Sequence, residues 1–269
     1  MRGPLVSTAE LRTLLGTVSM LDVRYRMGGP PGFDEHAAGH VPGAVLVDLD
    51  TDLAGPPGPA GRHPLPSRTA FESSMRRAGV DATRSVVVYD DWSGRAAARA
   101  WWLLRHHGHD DVRVLDGGWS AWVREGGPVE TGPVTAAPGD FTATVGRLRV
   151  VGPDQVPGVG VLVDAREPER YRGDVEPVDP VAGHIPGAVN VPTSVNLRAD
   201  GRFEDADVLR RRYAEAGASP GADVAAYCGS GVSATHDLLA LAVVGVDAAL
   251  YPGSWSGWLG DPERPVERG

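Results

Sequence analysis

The sequence predicts an α/β protein made of two tandem copies of one domain, each a parallel sheet flanked by helices, and three observations carry that expectation. Blocks of sequence recur in order: Leu21-Asp22-Val23-Arg24 returns as Val163-Asp164-Ala165-Arg166, and Gly39-His40-Val41-Pro42-Gly43-Ala44-Val45 returns as Gly183-His184-Ile185-Pro186-Gly187-Ala188-Val189. Leu115 to Trp122 is answered at similar spacing by Leu250 to Trp258. Two domain-length copies argue against a stacked solenoid. Within each copy, short apolar runs alternate with stretches at helical spacing, the pattern of a parallel sheet covered by helices. Third, the Gly- and Pro-bearing stretch from Gly126 to Val145 separates the copies. The expected division is a first domain over 1–126, a linker over 127–148 and a second domain over 149–269.

In the first copy Ser19 to Val23 and Ser85 to Tyr89 read as strands, and Arg95 to His106 places Ala, Trp and Leu at helical spacing. In the second, the turn-like Ser219-Pro220-Gly221-Ala222-Asp223 leads into the strand Val224 to Tyr227. Ala234 to Val244 then reads as a packed helix with Gly245 as its stop. Between that strand and that helix lies Cys228, the one cysteine of 269 residues, followed by Gly229-Ser230-Gly231-Val232-Ser233. Ligands of open parallel sheets gather beyond the carboxyl ends of the strands, where this thiol falls.

A helix N-terminus offers unpaired N–H groups and the positive end of a dipole, so the thiolate is favoured over the thiol there. The small residues let backbone amides converge on an anionic sulfur or its substrate. The alternative is a buried structural cysteine, the commoner fate of a free thiol. Aligning Val88-Tyr89-Asp90-Asp91-Trp92-Ser93-Gly94-Arg95 with Ala225 to Val232 puts Asp91 at the cysteine position, so the first copy lacks the nucleophile.

Composition narrows the classes further. With 42% hydrophobic residues, 36 glycines and 23 prolines the chain is globular and rich in turns. A net charge of −9 disfavours nucleic-acid and anionic-membrane partners. All 26 basic residues are arginine, which excludes Schiff-base, pyridoxal and P-loop lysine chemistry. A lone cysteine excludes an internal disulfide and an all-cysteine metal site, and no cofactor is called for. Met1 to Ser7 lacks an apolar signal core and no stretch approaches a membrane span, so a cytoplasmic protein is expected.

The paired Leu-Asp-Val-Arg and Val-Asp-Ala-Arg segments, the two Gly-His-Val/Ile-Pro-Gly-Ala-Val motifs, the Cys228 loop and Tyr251 to Trp258 together resemble the two-domain rhodanese family, the thiosulfate and 3-mercaptopyruvate sulfurtransferases. The resemblance spans nearly the whole chain. It implies two rhodanese-like domains, the first inactive, and a cysteine that cycles through a persulfide between a small-molecule sulfur donor and cyanide or a thiol acceptor. On the matching positions it implies Cys228 as nucleophile, Gly229 to Ser233, with Gly231 and Val232, as the amide-lined loop, and Ser230 as a hydroxyl handling the substrate thiol's proton. Arg170 matches the arginine that meets the donor's negative charge, its fork suiting carboxylate or sulfonate-like oxygens. Asp50 and His63 match polar residues of the first domain that face the cysteine, and Trp255 is expected to wall the pocket.

Other residues have quieter readings. Asp22, Arg24, Asp164 and Arg166 recur in both copies and are expected to form structural ion pairs, and His40 and His184 to sit in turns or helix starts. His236, eight residues after the thiol, is expected to be a satisfied helix histidine. The donor stays open between two patterns. Neutral Gly229 and Ser230 depart from the basic loop of thiosulfate-preferring rhodaneses, while Val178 stands where mercaptopyruvate enzymes carry a second arginine. Ala234 at the arginine position of a Cys-x5-Arg loop excludes a phosphatase. A non-catalytic persulfide carrier remains the alternative function.

Overall fold

Runs such as Val86-Val87-Val88-Tyr89 are too short and too uniformly apolar for an amphipathic helix, and in the computed structural model, which describes residues 3–269, they are fully buried parallel strands. The chain divides into two compact units, one holding the residues up to Gly55 with Pro66–Leu148 and Ala199–Phe203, the other holding Pro56–Leu65, Arg149–Arg198 and Glu204–Gly269.

The first unit runs β1 (Leu5–Val6), α1 (Thr8–Leu14), β2 (Ser19–Asp22), α2 (Gly32–Ala38), β3 (Ala44–Leu46), α3 (Leu49–Asp52), α4 (Arg68–Arg77), β4 (Val86–Tyr89), α5 (Arg95–His106), β5 (Val112–Leu115) and α6 (Gly118–Arg124). Its strands pair in parallel in the order β1-β5-β4-β2-β3. Ser7, Asp48 and Ser67 start α1, α3 and α4 by accepting from the amides of Glu10, Thr51 and Ala70. Helix α5 is buried along nearly its whole length because Ala96 to Leu104 offers almost no polar face to water.

The second unit repeats the plan with β6 (Val161–Asp164), α7 (Pro168–Arg172), β7 (Val189–Asn190), α8 (Ala206–Glu215), β8 (Val224–Tyr227), α9 (Ala234–Val243), β9 (Ala248–Leu250) and α10 (Ser254–Trp258). The parallel sheet reads β7-β6-β8-β9. Helix α9 stops where expected, with Gly245 at φ +76°.

The repeated Gly-His-Val/Ile-Pro-Gly-Ala-Val motif is structural in both units. The Val41 amide donates to the Tyr89 hydroxyl (3.0 Å) and the Ile185 amide to the Tyr227 hydroxyl (3.1 Å). Gly43 and Gly187, at φ +74° and +78°, turn the chain so that their amides reach Glu130 and Glu267. His40 and His184 lie in backbone bridges to the same two glutamates.

Two segments depart from the expected division. Residues 127–148 do not span a gap; they pack on the first unit, where the amides of Gly139, Phe141 and Thr144 bond to the carbonyls of Arg76, Val80 and His107, and Phe141 is buried. Pro56–Leu65, from the first half of the sequence, belongs to the second unit. It docks on α10 through glycines: a Cβ on Gly61 would meet the Gly253 carbonyl at 2.8 Å, one on Gly257 the Ala60 carbonyl at 2.7 Å, and one on Gly260 the Pro59 carbonyl at 2.6 Å. Among the described residues no helix is long and apolar enough to cross a membrane.

Candidate active site

Strand β8 is buried on both faces and delivers Cys228 to its carboxyl end, 3% exposed, at the floor of a loop that rises into α9. The cysteine backbone is clamped from one side. Its amide donates to Ser254 Oγ (3.0 Å), its carbonyl accepts from the Trp255 amide (2.9 Å), and the Gly229 carbonyl accepts from the Ser256 amide (2.9 Å). Ser254 sits at φ +53°, a strained conformation for a residue with a side chain, and its hydroxyl also donates to the Tyr251 carbonyl. The sulfur accepts from the Gly231 amide at 3.2 Å. Gly231 is required twice over, since its φ is +80° and a Cβ there would collide with the Pro252 carbonyl.

The Pro56–Leu65 segment brings two side chains to this loop. His63 Nδ1 lies 2.7 Å from Ser230 Oγ, and Ser230 is 9% exposed. Arg62, anchored by its amide to Ser256 Oγ, reaches over Gly229. A Cβ placed on Gly229 would lie 3.0 Å from Arg62 Nη2 and 3.6 and 3.7 Å from Arg170 Nη1 and Nη2. Two guanidinium groups therefore close in on the bare glycine next to Cys228, and a side chain there would crowd Arg62.

Those groups end a chain of alternating charges that starts in the core. Arg166, behind the loop, pairs with Asp164 (2.6 Å) and Glu176 (3.4 Å) and stacks 4.8 Å from the Trp255 ring. Glu176 pairs onward with Arg170 (2.6 Å), Arg170 with Asp179 (3.2 Å), and Asp179 with Arg62. Burial pushes the Glu176 carboxyl up, but Arg170 and the amides of Asp179 and Val178 outweigh it and hold it below its ordinary range. Burial likewise opposes the charge on Arg166, and Asp164 more than restores it. The expected structural pairs are thus present in both units, Asp22–Arg24 at 2.9 Å being the first unit's equivalent.

Several expectations meet different geometry. Strand register pairs Asp22 with Tyr89 in the first unit and Asp164 with Tyr227 in the second, so Asp90, not Asp91, stands at the cysteine position. The Asp90 carbonyl accepts from the Trp119 amide (2.8 Å) as the Cys228 carbonyl does from Trp255 (2.9 Å). Asp91 turns aside to pair with Arg26 (3.2 Å). Trp255 does not wall a pocket: it is 0% exposed, donates its ring N–H to the Val181 carbonyl (2.9 Å) and supports the loop from beneath. His63 belongs to the second unit, whereas Asp50 lies exposed on α3 of the first. Val232 is buried and Ser233 half-buried at the approach to α9. His236 is wholly buried on α9, 3.5 Å from Asn196, itself bonded to Asp237. A cavity of about 510 Å³ lined by Pro64, Leu65, Val151, Tyr251, Pro252 and Arg264, among others, includes no residue of the Cys228 loop in its lining.

Sequence reasoning missed Arg62, Glu176 and Asp179. Arg62 adjoins a singled-out histidine, but only knowledge that 56–65 packs on the second unit gives it a place.

Comparison with known proteins agrees with this architecture. The family model described as rhodanese-like domain matches residues 7–125 and 152–261. A protein of Mycobacterium tuberculosis named putative thiosulfate sulfurtransferase SseB is 47% identical over 98% of this chain and 97% of its own. One of Pseudomonas aeruginosa named probable 3-mercaptopyruvate sulfurtransferase is 42% identical over 93% and 92%. The crystal structure of SseA from Escherichia coli, described as a 3-mercaptopyruvate sulfotransferase, superposes with a TM-score of 0.83 at 32% identity, covering 95% of this chain and all of the other.

Proposed function

The chain belongs to the rhodanese family and is a sulfurtransferase, and from that premise we propose that Cys228 carries the sulfane sulfur, Arg170 binds the anionic end of the donor, and the Ser230–His63 pair handles the proton. The observation that supports this most is the single thiol at the floor of a loop whose Gly231 amide points at the sulfur and whose Gly229 is approached by the guanidinium groups of Arg62 and Arg170.

With 3-mercaptopyruvate the Cys228 thiolate attacks the donor sulfur. A sulfur–sulfur bond forms, the carbon–sulfur bond breaks, and its electron pair leaves as the enolate of pyruvate. The thiol's proton ends on that carbon, relayed by Ser230 Oγ, which is within hydrogen-bond reach of His63. With thiosulfate the same attack expels sulfite and moves no proton. Either way a persulfide anion remains on Cys228, its charge stabilised by loop amides, and cyanide or a thiol then takes the outer sulfur and restores the thiolate. The neutral residues Gly229 and Ser230, and a hydroxyl–imidazole pair that only the first donor needs, favour 3-mercaptopyruvate. A lone thiol without a disulfide partner suits a reducing compartment, consistent with the cytoplasm.

The test is steady-state release of sulfide and thiocyanate from purified protein with each donor, alongside mass spectrometry for one added sulfur atom. Continuous turnover that Cys228→Ser abolishes is expected, with kcat/KM higher for 3-mercaptopyruvate. One persulfide formed without turnover would make the protein a carrier, and no persulfide from either donor would remove Cys228 from the chemistry.

A further inference from the structure

Arg172, the next arginine after Arg170, pairs with Asp174 (2.8 Å) and Val178 carries no charge, yet two guanidinium groups, of Arg62 and Arg170, approach Gly229 next to Cys228. The extra one is Arg62, carried in by the Pro56–Leu65 segment. Its Nη1 is spent on Asp179, and its Nη2 is the atom nearest the Gly229 Cβ position. Arg170 divides its donors the same way: Nε and Nη2 face Glu176 and Asp179, while Nη1 lies 3.6 Å from the Gly229 Cβ position. Asp179 accepts from Arg170 on Oδ2 and from Arg62 on Oδ1, so one buried carboxylate fixes both arms. Three carboxylates, Asp164, Glu176 and Asp179, balance three arginines, Arg62, Arg166 and Arg170. A balanced cluster exerts little long-range pull, so what it offers an anion is directed N–H groups at short range.

We propose that Arg62 is the second donor-binding arginine of this enzyme, closing with Arg170 on the carboxylate of a 2-oxo-3-thiol acid, and that Asp179 is the positioning residue that sets the two arms. The inference rests on the sulfurtransferase reading and adds to it a specificity determinant from a part of the chain remote from Cys228 in sequence. A carboxylate has two oxygens and accepts one N–H from each arm, whereas the sulfonate end of thiosulfate spreads its charge over three oxygens and depends less on any single donor.

The experiment measures kcat and KM for 3-mercaptopyruvate and thiosulfate in wild type, Arg62→Gln, Arg62→Lys and Asp179→Asn, with thermal unfolding to establish that each variant folds. Losing a charged hydrogen bond to the substrate predicts that Arg62→Gln raises KM for 3-mercaptopyruvate about 10- to 100-fold with kcat within about threefold. The same variant moves the thiosulfate KM by less than about threefold, and Arg62→Lys recovers part of the loss. Asp179→Asn raises the 3-mercaptopyruvate KM in the same direction. An unchanged KM for 3-mercaptopyruvate in a folded Arg62→Gln protein overturns the proposal while leaving the sulfurtransferase intact, as does an equal rise for both donors. If wild type transfers no sulfur from either donor, the underlying reading fails and the clamp falls with it.

Discussion

The equivalent loops of the two units solve the same problem in opposite ways. In the first, Asp90 fills the cradle with its own carboxylate: Oδ1 accepts from the amides of Trp92 (3.0 Å) and Gly94 (2.8 Å), and Oδ2 from those of Ala96 (2.8 Å) and Ala97 (2.9 Å). Burial pushes this carboxyl above its ordinary range, and the amides of Ala97, Gly94 and Trp92 offset that only in part. In the second, the side chain at the same strand position is the shorter Cys228, whose sulfur accepts from the Gly231 amide. The loop amides are met by a built-in carboxylate in the first unit and by a thiol in the second. The first unit's loop is thus a filled site, and not only one without a thiol.

The largest effect that tests this contrast is chemical. Cys228→Asp, which transfers the first unit's solution to the second, is expected to lower turnover by about 10³-fold or more. Its urea midpoint should fall less than that of Cys228→Leu, and the reverse order would break the equivalence of the two cradles. Next comes stability. Asp90→Ala strands the four amides it serves, and a loss of about 3–5 kcal/mol in urea unfolding is expected. Asp90→Asn, which keeps one acceptor oxygen, should lose about half as much.

A sharper comparison uses the paired core arginines. Arg166→Met takes the guanidinium from buried Asp164, with about 3 kcal/mol expected in equilibrium unfolding, and Arg24→Met is expected to cost less because Asp22 keeps His36 at 2.9 Å. Only Arg166→Met should also raise the donor KM, because Arg166 alone continues through Glu176 to Arg170. The smallest effect is in pH. Burial first, then the neighbouring charges of His107 and Arg99, lower the pKa of His106 in the first unit from 6.5 to about 4. The unfolded chain therefore binds this proton before the folded one does. Stability from His106 is complete above about pH 6.5 and is lost as pH falls toward about 4. His106→Gln should flatten that part of a plot of Tm against pH, and an unchanged slope would show that other groups set it.

What was legible in the sequence was local. The strands at Val86–Tyr89 and Val224–Tyr227, helix α5 and the end of α9 at Gly245 follow from short apolar runs and from glycine's tolerance of positive φ. The position of Cys228 followed from its flanks. The first unit's loop was misregistered by one residue, since Asp90 and Asp91 are adjacent and chemically alike and only the shared Tyr89 and Tyr227 strand ends distinguish them. Trp255 resembled a pocket wall because aromatic residues often line sites, but cation–π stacking on a buried arginine put it inside. Arg62 was silent for a different reason. Nothing near it in sequence says which unit the Pro56–Leu65 segment joins; that is decided by the bare backbones of Gly257 and Gly260, almost two hundred residues downstream.

That borrowed segment makes the second unit depend on a stretch of chain from the first half of the sequence. A shorter protein beginning at Arg149 would keep the thiol, its strand and its helix, yet forfeit both the imidazole and the guanidinium that stand over them. Trimming this enzyme to its second repeat would remove Arg62 and His63 from the unit that holds the thiol.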